Sequence, residues 1–135
     1  MARRVILDTG TLVAIERGSL DVDAVLGSDD AAIASVTAME LLIGVERADE
    51  TRRQARSVRV EAVLASLPIE DYTLSVARIH ARLAVQAMST GKQRSAYGLM
   101  IAATAAATNR ILLTTDASAE FSQLAGVRSE VISVY

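Results

Sequence analysis

The sequence predicts an α/β fold, a parallel sheet with helices on both faces in three α/β/α layers. Short apolar runs (VIL, AAI, ILL) alternate with longer stretches of helical period along the chain, and that alternation builds parallel sheets. Two of the runs stop abruptly at an acid, Asp8 and Asp116. No linker, low-complexity tract or internal repeat interrupts the 135 residues, so 1–135 reads as one domain, long enough to bury a core.

VILD is a short buried strand, and TLVAIERG after it suits a short helix closed by Gly18. LDVDAVLG reads as a second helix and AAIASV as the second strand. TAMELLIGVERA is helical, and Glu50 to Leu67 continues so until Pro68. IEDY is a weak third strand. TLSVARIHARLAVQAMSTG is the clearest helix, with Val76, Ile79, Leu83 and Ala87 on one face and Gly91 past its end. SAYGLMIAATAAAT is helical with Ser95 as N-cap, RILLTTD is a strand, ASAEFSQLAGV a short helix or loop, and SEVISV the last strand.

Composition narrows the chemistry. With no cysteine there is no disulfide framework, thiolate metal site or cysteine nucleophile, which fits a reducing cytoplasm. Hydrophobic residues make up 51% and aromatics only 3%, so the core is built from Ala, Leu, Val and Ile. Arg3 and Arg4 precede an apolar run, but Asp8 interrupts it and no cleavage site follows, and no run is long enough to cross a bilayer. The expectation is a soluble, cytoplasmic protein. A net charge of −2 argues against generic polyanion binding. The basic residues, all Arg except Lys92, still cluster in TRRQARSVRV (Arg52, Arg53, Arg56, Arg59) and GKQRS (Lys92, Arg94).

Asp-Thr-Gly-Thr at 8–11 admits two readings. Half of an aspartic protease dyad needs β-rich lobes, which a mostly helix-patterned chain does not supply. In open α/β sheets, by contrast, ligands sit outside the carboxyl ends of the strands. Asp8 and Asp116 both fall there, and Glu40 is expected on the same side, in the first turn of the helix after the second strand. Three hard oxygen donors at one edge suit Mg²⁺ or Mn²⁺. Each acid has a structural reading too: Asp8 and Asp116 as helix N-caps, and Glu40 closing a capping box with Thr37. His80 reads as a hydrogen-bonded helix residue, Arg52 to Arg59 as a solvated helix face, and Met39, Met88 and Met100 as core filler.

The blocks around these acids resemble the PIN-domain ribonucleases, specifically the VapC-type toxins of VapBC toxin–antitoxin systems. VILDTGTLVAI resembles the opening strand with its first acid, Asp8. AAIASVTAMELLIGVERA resembles the segment carrying Glu40, and GLMIAATAAATNRILLTTD the closing block with Thr114, Thr115 and Asp116. LAGVRSEVI resembles the usual tail. The blocks occur in order over nearly the whole chain.

One position departs from the pattern. The family places a third acid, an Asp, immediately before the Leu-Met-Ile-Ala-Ala-Thr stretch, and here that residue is Gly98. An Asp in the first turn of a helix interacts favourably with the dipole, whereas Gly costs roughly 1 kcal/mol against Ala in a helix interior. Gly98 therefore reads as the replacement of an ancestral or wild-type Asp.

The resemblance implies metal-dependent hydrolysis of RNA phosphodiesters. Asp8, the position of Gly98 and Asp116 would hold Mg²⁺ or Mn²⁺, with Glu40 completing the catalytic acids. Thr9, Thr11 and Thr115 would orient acids or water, and Arg52, Arg53, Arg56, Lys92 and Arg94 would contact RNA or a partner. The implied partners are an RNA substrate, a VapB-type antitoxin and a second copy in a homodimer. With Gly98 in the site, the expectation is an impaired enzyme. A non-catalytic PIN-like scaffold that binds RNA or an antitoxin is the alternative. A phosphoacceptor signalling domain is disfavoured, because the sole lysine, Lys92, follows Gly91 in a loop.

Overall fold

The computed structural model describes residues 2–133. Its five strands are β1 (Arg4–Leu7), β2 (Asp30–Ala34), β3 (Ile69–Glu70), β4 (Ile111–Thr114) and β5 (Ser129–Val131). The helices are α1 (Thr9–Glu16), α2 (Val22–Leu26), α3 (Ser35–Glu46), α4 (Glu50–Ser66), α5 (Leu74–Thr90) and α6 (Ala96–Ala107). Two 3₁₀ turns, Ala117–Ala119 and Phe121–Gln123, join β4 to β5. All strand pairs are parallel, in the order β3-β2-β1-β4-β5.

Strand alternation divides the core between two faces. Val5 and Leu7 of β1, Ile33 of β2 and Leu113 of β4 pack with Leu12 of α1, Leu41 and Val45 of α3, and Val60 of α4. Ile6, Ala34 and Leu112 point the other way, onto Val76, Leu83 and Ala87 of α5 and the apolar residues of α6. Near-total burial of Val5, Ile6, Leu7, Leu112 and Leu113 explains why these strands read as unbroken apolar runs. The small residues Ala102, Ala103 and Ala105 are wholly buried in α6, so an aromatic-poor composition still fills the layer beneath α5.

The predicted elements appear in order with shifted ends. β2 stops at Ala34 and α3 begins at Ser35, two residues before the expected start. IEDY contributes two residues to the sheet. The last strand ends at Val131, and the expected Val134 lies outside the described residues. Ser95 caps α6 through the Gly98 amide, and Gly91 closes α5 at φ +71°. Met88 is not core filler: it is 73% exposed, since the buried stripe of α5 runs through Ala87. His80 accepts or donates a 2.7 Å hydrogen bond with the Tyr72 hydroxyl. Among the described residues no helix is long and apolar enough to cross a membrane.

The topology selects one edge. From β1 the chain moves outward through β2 to β3, then returns to the other side of β1 for β4 and β5. The strand order therefore reverses between β1 and β4, and a crevice opens at their carboxyl ends.

Candidate functional site

A groove of about 410 Å³ lies at that crevice, and Asp8, Glu40, Gly98 and Asp116 all line it. The sheet delivers the first acid. Asp8 directly follows β1, its backbone amide donates to the Leu113 carbonyl of β4 at 3.1 Å, and its Oδ1 accepts the Thr11 amide at 2.8 Å. Thr11, wholly buried, donates its own hydroxyl to Leu113 at 3.0 Å. Asp8 is thus both the N-cap of α1 and a wall of the groove; capping consumes one oxygen and leaves Oδ2 free of any hydrogen bond among the described residues.

Asp116 repeats the arrangement after β4. Its amide donates to Thr114 Oγ1 at 3.0 Å, while its Oδ1 accepts the Ser118 hydroxyl at 2.5 Å and the Ser118 amide at 3.0 Å. The Ser118 hydroxyl is the main reason the Asp116 carboxyl sits below the usual carboxylate range, helped by backbone amides and the nearby Lys92 charge. Sequence places Thr114 in the closing block without a role and does not single out Ser118; Asp116-x-Ser118, a side chain bonding an amide two residues on, is the available signal. Thr115, expected to orient an acid, makes no side-chain hydrogen bond among the described residues, although its hydroxyl faces Gly10.

Glu40 reaches the groove by another route than the expected one. Because α3 starts at Ser35 with Ala34 at its N-cap, Thr37 lies inside the helix and Glu40 is its sixth residue, so no capping box forms. Glu40 Oε1 instead accepts the Thr9 hydroxyl at 2.7 Å, and Thr9 Oγ1 lies 3.3 Å from Thr37 Oγ1. Thr9 thereby links the start of α1 to Glu40 of α3.

Gly98 is the third residue of α6, with its amide 3.3 Å from Ser95 Oγ. Neither backbone nor space demands glycine there. Its φ is not positive, and an added Cβ would meet nothing closer than Ser95 Cβ at 3.6 Å and the Phe121 ring at 3.8 Å.

The basic residues divide. Lys92 and Arg94 line the groove but donate to the backbone carbonyls of Ser118, Ala119 and Glu120, and Lys92 pairs with Glu120 at 3.2 Å. They clamp the segment that follows Asp116. Arg56 lines an adjoining groove instead. Arg52 and Arg53 line neither; both are exposed on α4, with Arg53 donating to the carbonyls of Glu46 and Ala48.

Asp8, Glu40 and Asp116 each keep one carboxylate oxygen without a hydrogen-bond partner among the described residues. This all-oxygen donor set fits Mg²⁺ or Mn²⁺ in kind. Among the described residues, however, no group of three or more His, Cys, Asp or Glu is gathered closely enough to hold a metal ion. Of the four groove positions, Gly98 is the one that carries no carboxylate.

Comparison with known proteins bears on the same residues. The sequence matches the PIN domain over residues 5–127. The chain is 35% identical to Ribonuclease VapC5 of Mycobacterium tuberculosis over 133 residues, covering 96% of this chain and 94% of that one. It belongs to the PIN-domain family, with the VapC ribonucleases. Solved structures superpose on it, VapBC proteins among them. One is VapBC2 from Rickettsia felis bound to a DNA fragment from their promoter, with a TM-score of 0.85 at 21% identity, covering 96% of this chain and 99% of that one. Another is VapBC-5 from Mycobacterium tuberculosis, a member of the VapBC family of toxin-antitoxin systems, with a TM-score of 0.72 at 25% identity over 97% and 98%. In this PIN domain the family match spans every residue of the groove, from Asp8 to Phe121.

Proposed function

We infer that this VapC-type PIN domain is a metal-dependent endoribonuclease toxin whose site is impaired by Gly98. The observation that carries the reading is the shared groove: three acids from separate elements, and the residue at which the family resemblance expects a fourth, line one crevice at the reversal of strand order. Asp8 and Asp116, with a carboxylate at position 98 in an intact site, would hold Mg²⁺ or Mn²⁺, and Glu40 would complete the acidic set. When bound, the cation supplies charge to offset the phosphoryl oxygens and acidifies water for attack on phosphorus. The chain's own residues do the rest. Thr11 and Leu113 fix Asp8, Ser118 holds the Asp116 carboxylate through Oδ1, and Thr9 holds Glu40 toward the groove.

The partners that accompany this reading are an RNA substrate, a VapB-type antitoxin and a second copy of the chain. The likeness to VapBC assemblies supports the antitoxin. A second reading, a non-catalytic scaffold for RNA or antitoxin, is favoured by one observation, the lack of a gathered three-acid cluster among the described residues.

Cleavage of a panel of structured RNAs separates the two. The chain, its Gly98→Asp variant and the double variant Gly98→Asp with Asp8→Ala are compared with Mg²⁺ or Mn²⁺ and with chelator. Metal-dependent cleavage by Gly98→Asp alone is the expected result. Turnover by the unaltered chain equal to that of Gly98→Asp refutes the impairment, and silence from every folded variant favours the scaffold.

A further inference from the structure

A second groove, of about 470 Å³, opens beside the acidic one and shares Thr9 and Glu40 with it. α1, α3 and α4 form its walls, and it carries three arginines, Arg17, Arg56 and Arg59. Arg17 is exposed, and its guanidinium has no ion pair or hydrogen bond among the described residues. Arg59 pairs with Glu16 at 3.1 Å, and Arg56 donates to the Gly44 carbonyl at 3.1 Å.

The two grooves differ in their balance of charge. In the acidic groove Asp8, Glu40 and Asp116 outnumber Lys92 and Arg94, both of which are held against the segment after Asp116 by bonds to its carbonyls, with Lys92 also paired to Glu120. In the second groove three arginines face Glu16 and the shared Glu40. A polyanion that brings one phosphate to the acids meets net negative charge there, so its neighbouring phosphates need cations close by. The second groove supplies them and is continuous with the acids through the Thr9–Glu40 pair.

We propose that this groove seats the phosphates next to the reacting one, so that single-stranded RNA crosses the Thr9–Glu40 pair with its flanking backbone on Arg17, Arg56 and Arg59. The assignment of the reacting phosphate rests on the ribonuclease reading; the binding groove does not. Little has to be given up for it. The Arg59–Glu16 pair is half-exposed, and such pairs are worth little, so exchange of Glu16 for a phosphate is cheap. Arg56 spends one of its five N–H donors on Gly44, leaving four for a phosphate. The guanidinium fork matches phosphate bidentately.

Anisotropy of a labelled single-stranded RNA oligonucleotide, with chelator and over a range of salt, tests the proposal. The chain is compared with the combined variant Arg17→Ala, Arg56→Ala, Arg59→Ala and with Arg78→Ala, Arg82→Ala, two arginines of α5 remote from the groove. The groove variant is expected to bind roughly tenfold or more weakly, with the slope of log K against log salt falling by about 0.7 for each phosphate that is no longer neutralised. The α5 variant should bind as the parent does. Unchanged affinity of the groove variant, an equal loss in the α5 variant, or no RNA binding by the parent overturns the proposal. So does binding of polyglutamate that depends on these arginines while RNA binding does not, because the groove would then serve an acidic protein segment. Repeating the substitutions with Gly98→Asp separates the two readings. Cleavage with arginine-independent binding overturns this groove and keeps the ribonuclease; arginine-dependent binding without cleavage keeps the groove and counts against the ribonuclease.

Discussion

The Thr9 hydroxyl donates to Glu40 Oε1 at 2.7 Å, tying the first residue of α1 to the second turn of α3 at the boundary between two grooves. A long side chain that would otherwise sample several rotamers is thereby held beside Asp8. Thr9→Val keeps the branched shape and removes the donor. In the Gly98→Asp background it is expected to lower RNA cleavage about tenfold, equivalent to roughly 1.4 kcal/mol of barrier, and to cost about 1 kcal/mol of stability. Single-turnover cleavage and thermal melting measure the two. Unchanged turnover with a lowered melting point would reduce Thr9 to a structural link.

Gly98 gives a second prediction, one of stability alone. The site has room for a Cβ and no positive φ, so Gly98→Ala should stabilise the fold by about 0.5–1 kcal/mol through helix propensity. It should produce no cleavage, because it adds no carboxylate. Chemical denaturation of the two proteins decides the first point. A destabilised Gly98→Ala would mean that glycine is needed for a reason the backbone does not reveal.

How far sequence reached can be judged from these residues. Asp8 and Asp116 were legible because an apolar run ending in an acid fixes both the strand and the edge at which it stops. Glu40 was found on the correct side with the wrong partner. Local pattern allowed a capping box, but the helix starts where β2 leaves the sheet, and that boundary is tertiary. That Thr114 rather than Thr115 bonds the Asp116 amide has a similar reason. Both are close to Asp116 in sequence, and only the placement of β4 turns Thr114 inward to meet the Asp116 amide. Arg52, Arg53, Arg56 and Arg59 form one run in sequence, yet the groove beside α3 reaches only Arg56 and Arg59 of them, along with Arg17 from just beyond α1. Met88 could have been read correctly, since it stands one residue beyond the buried Ala87 and so off the stripe.

Ser118 lowers the pKa of Asp116. Its hydroxyl and amide both donate to Oδ1, and such bonds favour the ionised carboxyl, which is why the pKa is low. Ser118→Ala removes the hydroxyl, the larger contribution, and keeps the amide. The titration midpoint of Asp116, followed by carboxyl carbon NMR without metal, is expected to move up toward the ordinary aspartate range. A midpoint that stays put or falls would place the control elsewhere, with Lys92 the next group to substitute.

Arg110 makes the strongest stability prediction. It precedes β4 and is 4% exposed, and its Nη1 donates to the carbonyls of Val5 and Asp30 at 3.1 and 2.8 Å. Nη2 pairs with Glu70 Oε1 at 3.2 Å, so one guanidinium links β4, β1, β2 and the two-residue strand β3. Among the described residues Nε has no partner, which makes the charge costly to bury; Asp30 Oδ1, 3.5 Å from Nη1, is a second countercharge, so loss of Arg110 strands Glu70 whereas loss of Glu70 leaves Arg110 with Asp30. Glu70→Gln preserves shape and one acceptor while deleting the nearer of two countercharges; Arg110→Met preserves much of the apolar volume while stranding Glu70 and two carbonyls. Losses of this kind run to about 3–5 kcal/mol, and Arg110→Met should approach that range while Glu70→Gln falls short of it, because Glu70 is 27% exposed and water can replace part of what it loses. The double variant Arg110→Met, Glu70→Gln should recover part of the loss, since neither charge is then left facing a vanished partner. Equilibrium denaturation of the four proteins gives the coupling directly. Additive losses would mean that Arg110 acts through the backbone carbonyls of β1 and β2 and that its pairing with β3 contributes nothing.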